Sequence, residues 1–426
     1  MEANIAKPIN KKSIIAGCIG NVLEWYDFAI YGFFAPVIAG LFFPSEDKLA
    51  SLISTFGVFA IGYLMRPIGS VIFGILGDKL GRKRALEISV IMMAIPTTLV
   101  GVLPTYSHIG VVAPLLLTLL RLFQGVSVGG EFTGSISFVV EHAPKNRRGF
   151  YSSWTIFSLL GGILLGSAIA SLITNILPKE AVDDWGWRIA FLLGIALGLF
   201  GLYLRIGLEE PPEFKMLKES GGLSKTPIRE AFRNYWREIL TVTGATVVAA
   251  VNFYLIFVYM TTYLSTETHV LLSSALDINT ISMLVMMILV PFMGHISDKV
   301  GRKPLLIIGC LIIMIFSYPL FIVLSKGHVI YDFGAQLVFA LAFATLIGGF
   351  GAMMVELFPT RIRMSAVSIG YNVGFAIFGG TAPLVATLLI KITDNKLAPS
   401  YYLILAGLIS LIVFIKIRES YRDTLK

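Results

Sequence analysis

The sequence predicts an all-α membrane protein, with twelve transmembrane helices in two pseudo-symmetric six-helix bundles. Three observations predict it. Of 426 residues, 56% are hydrophobic and only 14% charged, against about 25% charged in a soluble domain. Apolar runs of the length that crosses a bilayer, roughly 20 residues, recur along the whole chain. One long polar interruption divides them near the middle. The first observation excludes a soluble fold. The lack of alternating segments of about ten residues excludes a transmembrane β-barrel, and the 41 Gly and 30 Phe suit close helix packing in lipid.

The spans are placed with a helix rise of about 1.5 Å per residue. The first, near 13–40, follows Lys7, Lys11 and Lys12 as a signal peptide would, but it contains Glu24 and Asp27 and no small-residue cleavage pattern, so it is a retained helix. The second, 51–76, carries MRPIG and runs into the turn GDKLGRK; the third, 85–103, leaves that turn. The fourth, 111–142, carries RLFQGVSVGGEFTG, the fifth, 150–176, follows APKNRR, and the sixth, 187–206, opens on WGWRIAF. A polar stretch from Arg205 to Arg237 holds Glu209, Glu210, Pro211, Pro212, Lys215 and Lys218. Beyond it lie spans near 239–265, 274–296, 304–325, 331–357, 365–391 and 399–417. The organisation is therefore 1–204, an amino-terminal bundle; 205–237, a cytoplasmic linker; and 238–426, a carboxy-terminal bundle with a short tail.

Cytoplasmic loops carry the excess of Lys and Arg. Of the 34 such residues, Lys48, Lys179, Arg188, Lys326, Lys391 and Lys396 fall on one side and Arg66 and Arg121 within helices, leaving the large majority opposite. Both termini are thus expected in the cytoplasm. The net charge of +8 is then topology plus contact with anionic headgroups rather than a nucleic-acid footprint. An internal repeat supports the two halves: GILGDKLGRK at 74–83 returns as GHISDKVGRK at 294–303, and EHAPKNRR from Glu141 as ELFPTRIR from Glu356. Parallel repeats of this kind are one transporter layout, with the substrate near the membrane midplane between them.

The repeated turn places Asp78 beside Lys79, Arg82, Lys83 and Arg84, with Gly77 and Gly81 to reverse the chain. It reads as a conformational latch made by Asp78, Arg82, Lys83 and Glu141, and again by Asp298, Arg302, Lys303 and Glu356. The alternative is a solvated basic loop. A G-x-x-x-D-K-x-G-R-K turn in both halves resembles the major facilitator superfamily. NVLEWYDFAIYGFF, MRPIG, RLFQGVSVGGEFTG and WGWRIAF are similar to its metabolite:proton symporter family. SVGGEFTG, RRGFYSSW, DWGWRI and GLYLRIGLEEPPEF resemble that family's branch of bacterial proline/glycine-betaine transporters.

Ionisable groups inside spans are costly and face a cavity by default. Asn21, Glu24 and Asp27 share one face of the first helix. Two carboxylates a turn apart disfavour joint ionisation, so Glu24 or Asp27 is expected to carry the coupling proton, with Glu131 as a third such acid. Arg121 and Gln124 present a polar stripe from the fourth span, and Arg121 is the anchor for a substrate carboxylate or else an ion-pair partner of these acids. Arg66 is a structural charge. If all five ionise, the interior carries one excess negative charge, which suits a zwitterion better than a di- or tricarboxylate. Tyr31 and Trp154 belong to a set with Trp25, Tyr26, Phe157, Tyr254, Tyr259 and Tyr263 from which a cage for a quaternary ammonium could be drawn. Asn252, Tyr254 and Asn372, with Tyr371, are the polar candidates of the second half.

Cys18 and Cys310 lie in apolar runs and build neither disulfide nor metal site, GGLSKT lacks a phosphate-loop pattern, and the five His have no ligand spacing. No cofactor, metal or enzymatic activity is expected. The resemblance implies a proton-coupled importer of proline, glycine betaine or a related zwitterion in the bacterial inner membrane. The alternatives are a carboxylate symporter for citrate, 2-oxoglutarate or shikimate, an efflux antiporter, or a non-transporting receptor. Only IRESYRDTLK follows the last span, leaving no room for the coiled-coil extension typical of the proline/betaine branch and placing osmotic activation in doubt.

Overall fold

A computed structural model describes residues 11–46, 48–207 and 209–425. Lys7 and the side chains of Lys11, Lys12 and Lys48 lie outside what is described. Among the described residues there is no strand; eleven helices are long and apolar enough to cross a bilayer, and a bent pair makes up to twelve.

That pair is the first span, α1 (Lys11–Phe33) and α2 (Ala35–Phe42), bent by 67°. Pro36 stands in the first turn of α2, where a missing N–H is harmless, and ends α1 for the same reason. The second span likewise breaks at Met65, ahead of Pro67, into α3 (Lys48–Leu64) and α4 (Arg66–Lys79). There follow α5 (Arg82–Val102), a single turn α6 (Tyr106–Ile109), α7 (Val112–His142) and α8 (Arg148–Ile176). A short α9 (Lys179–Ala181) and a π-helical turn lead into α10 (Trp187–Ile206). The polar stretch 205–237 carries α11 (Pro212–Glu219) and the first turns of α12 (Pro227–Phe253). A π-helical segment, Tyr254–Tyr259, joins α12 to α13 (Met260–Glu267). Next come α14 (Leu272–Val300), α15 (Arg302–Leu324) and α16 (Val329–Glu356). The eleventh span is α17 (Arg363–Gly374), a second π-helical segment, Phe375–Gly379, and α18 (Ala382–Thr393), and the last is α19 (Ala398–Lys416).

The chain forms two compact units. One comprises α1 to α7, α8 from Ser158 onward, and α9 to α11; the other holds Ala143–Phe157, where α8 begins, and Arg229–Lys426. In the first, Tyr26, Ile30, Phe34, Ile38 and Phe42 line α1 and α2 and pack on Trp187 and Phe191 of α10. Lipid gives helices little hydrophobic reason to associate, so fit decides, and small residues permit it. A Cβ on Gly125 of α7 would strike the Gly62 carbonyl, and one on Gly69 the Val126 carbonyl. The two halves of the second span therefore lie backbone to backbone on α7.

In the other unit α16 is the central helix, packed on both α14 and α15 and buried without interruption from Ala342 to Glu356. The π-helical segments of the seventh and eleventh spans meet there: Tyr254 packs on Phe375, ring centroids 6.3 Å apart, and against Gly379. Such single-turn π segments free backbone carbonyls from the helical ladder and recur at functional sites.

Candidate functional site

Each acid predicted for the interior of the first unit is buried against an arginine. On α1, Asp27 Oδ2 accepts from Arg121 Nη1 at 2.5 Å and Oδ1 from Gln124 Nε2 at 2.8 Å. Gln124 also donates to Thr97 Oγ1 at 2.9 Å, tying the cluster to α5. The Tyr31 ring covers one face of the Arg121 guanidinium, 3.8 Å from its centroid, while its hydroxyl donates to the Thr55 carbonyl. Tyr31 is thus engaged with a protein cation. Arg121 Nε and Nη2 have no hydrogen-bond partner, and these two form the edge with which a guanidinium takes a carboxylate bidentately.

One turn earlier, Glu24 lies 3.5 Å from Arg66 Nη2, and neither of its oxygens accepts a hydrogen bond. Arg66 does pair within its own unit. Asn21 donates to Ser135 and Ser158 at 3.0 and 3.4 Å. Glu131 departs from the Asp27 cluster: its Oε1 takes Arg205 Nη2 at 2.5 Å, and Ser89 donates to its Oε2. The sequence places Arg205 at the head of the polar linker. It is instead wholly buried, and the helical face Gly194, Gly198, Gly201, Arg205 was the signal available. The correction removes the expected excess negative charge, since Glu24, Asp27 and Glu131 are matched by Arg66, Arg121 and Arg205.

In the second unit Asn252 precedes the first π-helical segment, fully buried, with neither amide atom hydrogen-bonded. Asn372 donates to the Ser368 carbonyl at 2.9 Å. Tyr254 is buried between Phe253 and Phe375. Trp154 packs on Phe150 and Phe157, 6.1 and 4.9 Å between centroids.

The two charged turns share one construction. Arg82 Nη1 donates to Asp78 at 2.9 Å while Nε and Nη2 reach Glu141 at 3.3 Å. Arg302 Nη1 donates to Asp298 at 2.7 Å and Nη2 to Glu356 at 3.2 Å. Gly81 and Gly301 open the following helices at φ of 114° and 106°, a region that only glycine enters readily. Gly77 is inside α4, so Gly81 alone makes the first reversal. Asp298 further accepts the backbone N–H groups of Gly149 and Phe150 at 2.8 Å each, at the start of α8, and Arg148 lies 3.7 Å from Glu356. Nearby, Arg361 pairs with Glu230 at 2.6 Å.

Two acids not singled out from the sequence complete the turns. Glu210 accepts the amides of Arg82 and Lys83 at 2.9 and 3.2 Å, and Lys83 Nζ reaches the Ile206 carbonyl. Glu419 accepts those of Arg302 and Lys303 at 3.0 and 2.9 Å, and Lys303 Nζ reaches the Ile415 carbonyl. Each caps the orphan N–H groups of a helix start. Burial raises the Glu210 carboxyl above its ordinary range against the pull of the two amides and Arg82. Glu210→Ala and Glu419→Ala should each cost about 1–2 kcal/mol, read as a lower midpoint of thermal unfolding for the purified protein. An unchanged midpoint would show the caps to be idle.

Comparison with known proteins comes to the same architecture. Residues 13–226 match the family described as Sugar (and other) transporter, and residues 242–424 match the Major Facilitator Superfamily. The chain is 35% identical to the proline/betaine transporter of Escherichia coli strain K12, over 98% of this chain and 85% of that protein. It is 36% identical to the glycine betaine/proline/ectoine/pipecolic acid transporter OusA of Dickeya dadantii, over the same shares. A putative proline/betaine transporter of Staphylococcus aureus is 37% identical over 95% of this chain and 87% of its own. Among solved structures, the proton:xylose symporter XylE superposes with a TM-score of 0.80 at 17% identity, covering 97% of both chains.

Proposed function

The chain belongs to the major facilitator superfamily, and on that premise we propose that it imports a small zwitterion such as proline or glycine betaine together with protons, by alternating access in the bacterial inner membrane, with both termini cytoplasmic. The observation that carries this reading is the Asp27–Arg121–Gln124 cluster, in which one edge of a buried guanidinium is held by an acid and the other edge is unpartnered. The names of the relatives, all proline or betaine transporters, supply the solute class.

The chemistry follows from the residues. Arg121 receives the solute carboxylate on its Nε–Nη2 edge while Asp27 and Gln124 fix its plane. Glu24, whose ionised form has a 3.5 Å ion pair but no hydrogen bond, is the carboxyl that binds the coupling proton. Glu131, clamped by Arg205 and Ser89, acts as a positioning charge. A matched set of three acids and three arginines offers a zwitterion a neutral site, whereas a tricarboxylate would bring charge that these three arginines, each already facing an acid, do not offset. Asn252 and Asn372 are the amide contacts of the carboxy-terminal bundle and Tyr254 its aromatic one, Trp154 is the aromatic contact from the fifth span, and Asn21 supports the α1 face. The bundles are 1–204 and 238–426, joined by 205–237. The turns at Asp78–Lys83 and Asp298–Lys303, with Glu141 and Glu356, act as the latch that holds one state and releases the other. Anionic headgroups neutralise the basic cytoplasmic face.

The test is uptake of labelled proline, glycine betaine, citrate and 2-oxoglutarate into proteoliposomes under an inward proton gradient. Accumulation of a zwitterion, abolished by a protonophore, is expected. Accumulation of the carboxylates alone would overturn the solute assignment.

A further inference from the structure

The carboxy-terminal unit contains a buried carboxylate that the proposed mechanism does not use. Asp332, in the first turn of α16, is fully buried, and neither of its oxygens accepts a hydrogen bond. Although it stands near a helix start, none of the free amides there caps it. One helical turn on, on the same face, Gln336 is equally buried and its Oε1 also lacks a partner. Gln336 Nε2, by contrast, is doubly engaged, donating to the Ile256 carbonyl at 2.8 Å and to Asn279 Oδ1 at 2.7 Å. Asn279 Nδ2 donates in turn to the Phe257 carbonyl at 3.1 Å. Both carbonyls belong to the π-helical segment Tyr254–Tyr259.

The geometry points to Asp332 as a second proton-binding carboxyl, whose acid O–H donates to Gln336 Oε1 and so completes a hydrogen-bond chain through Asn279 to the π-helical segment of the seventh span. A buried, unpaired carboxylate is among the most costly groups a fold can hold. A proton on Asp332 removes that charge and supplies the donor that the Gln336 oxygen lacks, so one event satisfies both orphaned groups. The amide orientation agrees: with Nε2 committed to two acceptors, Gln336 has only an acceptor left to offer Asp332. The other titratable and charged groups on the surrounding elements do not compensate the charge. Tyr263 on α13 is within electrostatic reach of Asp332, but its hydroxyl donates to the Lys396 carbonyl at 3.0 Å. Tyr259 and Glu267 lie within electrostatic reach of the same Tyr263, and neither is a cation; the Lys396 ammonium donates to the Glu267 carbonyl. Asp277 of α14 and Lys326, His328 and Tyr331 beside the start of α16 are exposed. None of the described residues forms an ion pair with Asp332.

The inference concerns proton occupancy and holds whichever solute is carried, so it is tested without solute or gradient. Infrared spectra of the full chain in lipid nanodiscs at neutral pH should show the carbonyl stretch of a protonated carboxylic acid that is lost in Asp332→Asn. Glu24→Gln should retain that band. Gln336→Leu should move it to higher frequency, since the acid loses its acceptor. Identical carbonyl regions in the wild type and Asp332→Asn would overturn the assignment. So would a band that appears only when sodium is removed, which would make Asp332 a cation ligand. Should Asp332→Asn fail to fold, Asp332→Glu decides the matter in the same way: the band must shift, and an unshifted band contradicts the proposal.

Discussion

Arg121→Lys should raise the KM for proline uptake by roughly 30- to 150-fold while the protein remains folded. Lysine keeps the cation beside Asp27 but has no planar fork, so the bidentate contact on the Nε–Nη2 edge is lost. Charge-assisted hydrogen bonds of this kind are worth about 2–3 kcal/mol, and each 1.4 kcal/mol is about a factor of ten in affinity. Arg121→Ala goes further, because it leaves Asp27 buried without its cation; breaking a buried pair in that way costs about 3–5 kcal/mol, and both transport and thermal stability should collapse. Kinetics of labelled uptake and a thermal melt separate the two variants. A KM for Arg121→Lys within about threefold of the wild type, far below the range expected from losing those bonds, would mean that Arg121 is only the structural partner of Asp27.

Glu24→Gln should abolish accumulation against a gradient yet preserve exchange of labelled for unlabelled solute across the membrane. Exchange needs the binding site and the rocking of the bundles but no net proton movement. Accumulation needs a group that takes up a proton on one side and gives it up on the other. Glutamine keeps the shape of Glu24 and stands for its protonated form. Asp27→Asn should act differently, weakening solute affinity through the loosened Arg121 rather than uncoupling transport, because Asp27 holds two hydrogen bonds where Glu24 holds none. If Glu24→Gln still concentrates proline inside the vesicles, the proton rides elsewhere.

The helical class and the spans are written in the sequence because lipid demands long apolar runs, and the repeated GDKLGRK and SDKVGRK turns disclose the two halves directly. Residues quoted for the site came together where helical spacing governs: Asp27, Arg121 and Gln124 meet as the faces of α1 and α7 allow. Three features were not read. Arg205 reads as the start of the linker because it is the first charge after the apolar run and the polar stretch opens at Glu209, although the small-residue face of α10 runs straight through it. Glu210 and Glu419 escaped because their partners are backbone amides, which no residue pattern advertises. Their shared position, four residues beyond Ile206 and Ile415 in the two halves, is a repeat signal that could have found them. The π-helical segments at 254–259 and 375–379 arise from tertiary packing around single registers, and nothing local encodes them.

The central claim is that solute and proton move together, and it is tested most directly in lightly buffered proteoliposomes with no imposed gradient. Adding proline outside should turn the external medium alkaline as protons enter with the solute, and Glu24→Gln should show no such change. Proline entry with no pH change in the wild type, or entry that requires sodium, would contradict the account.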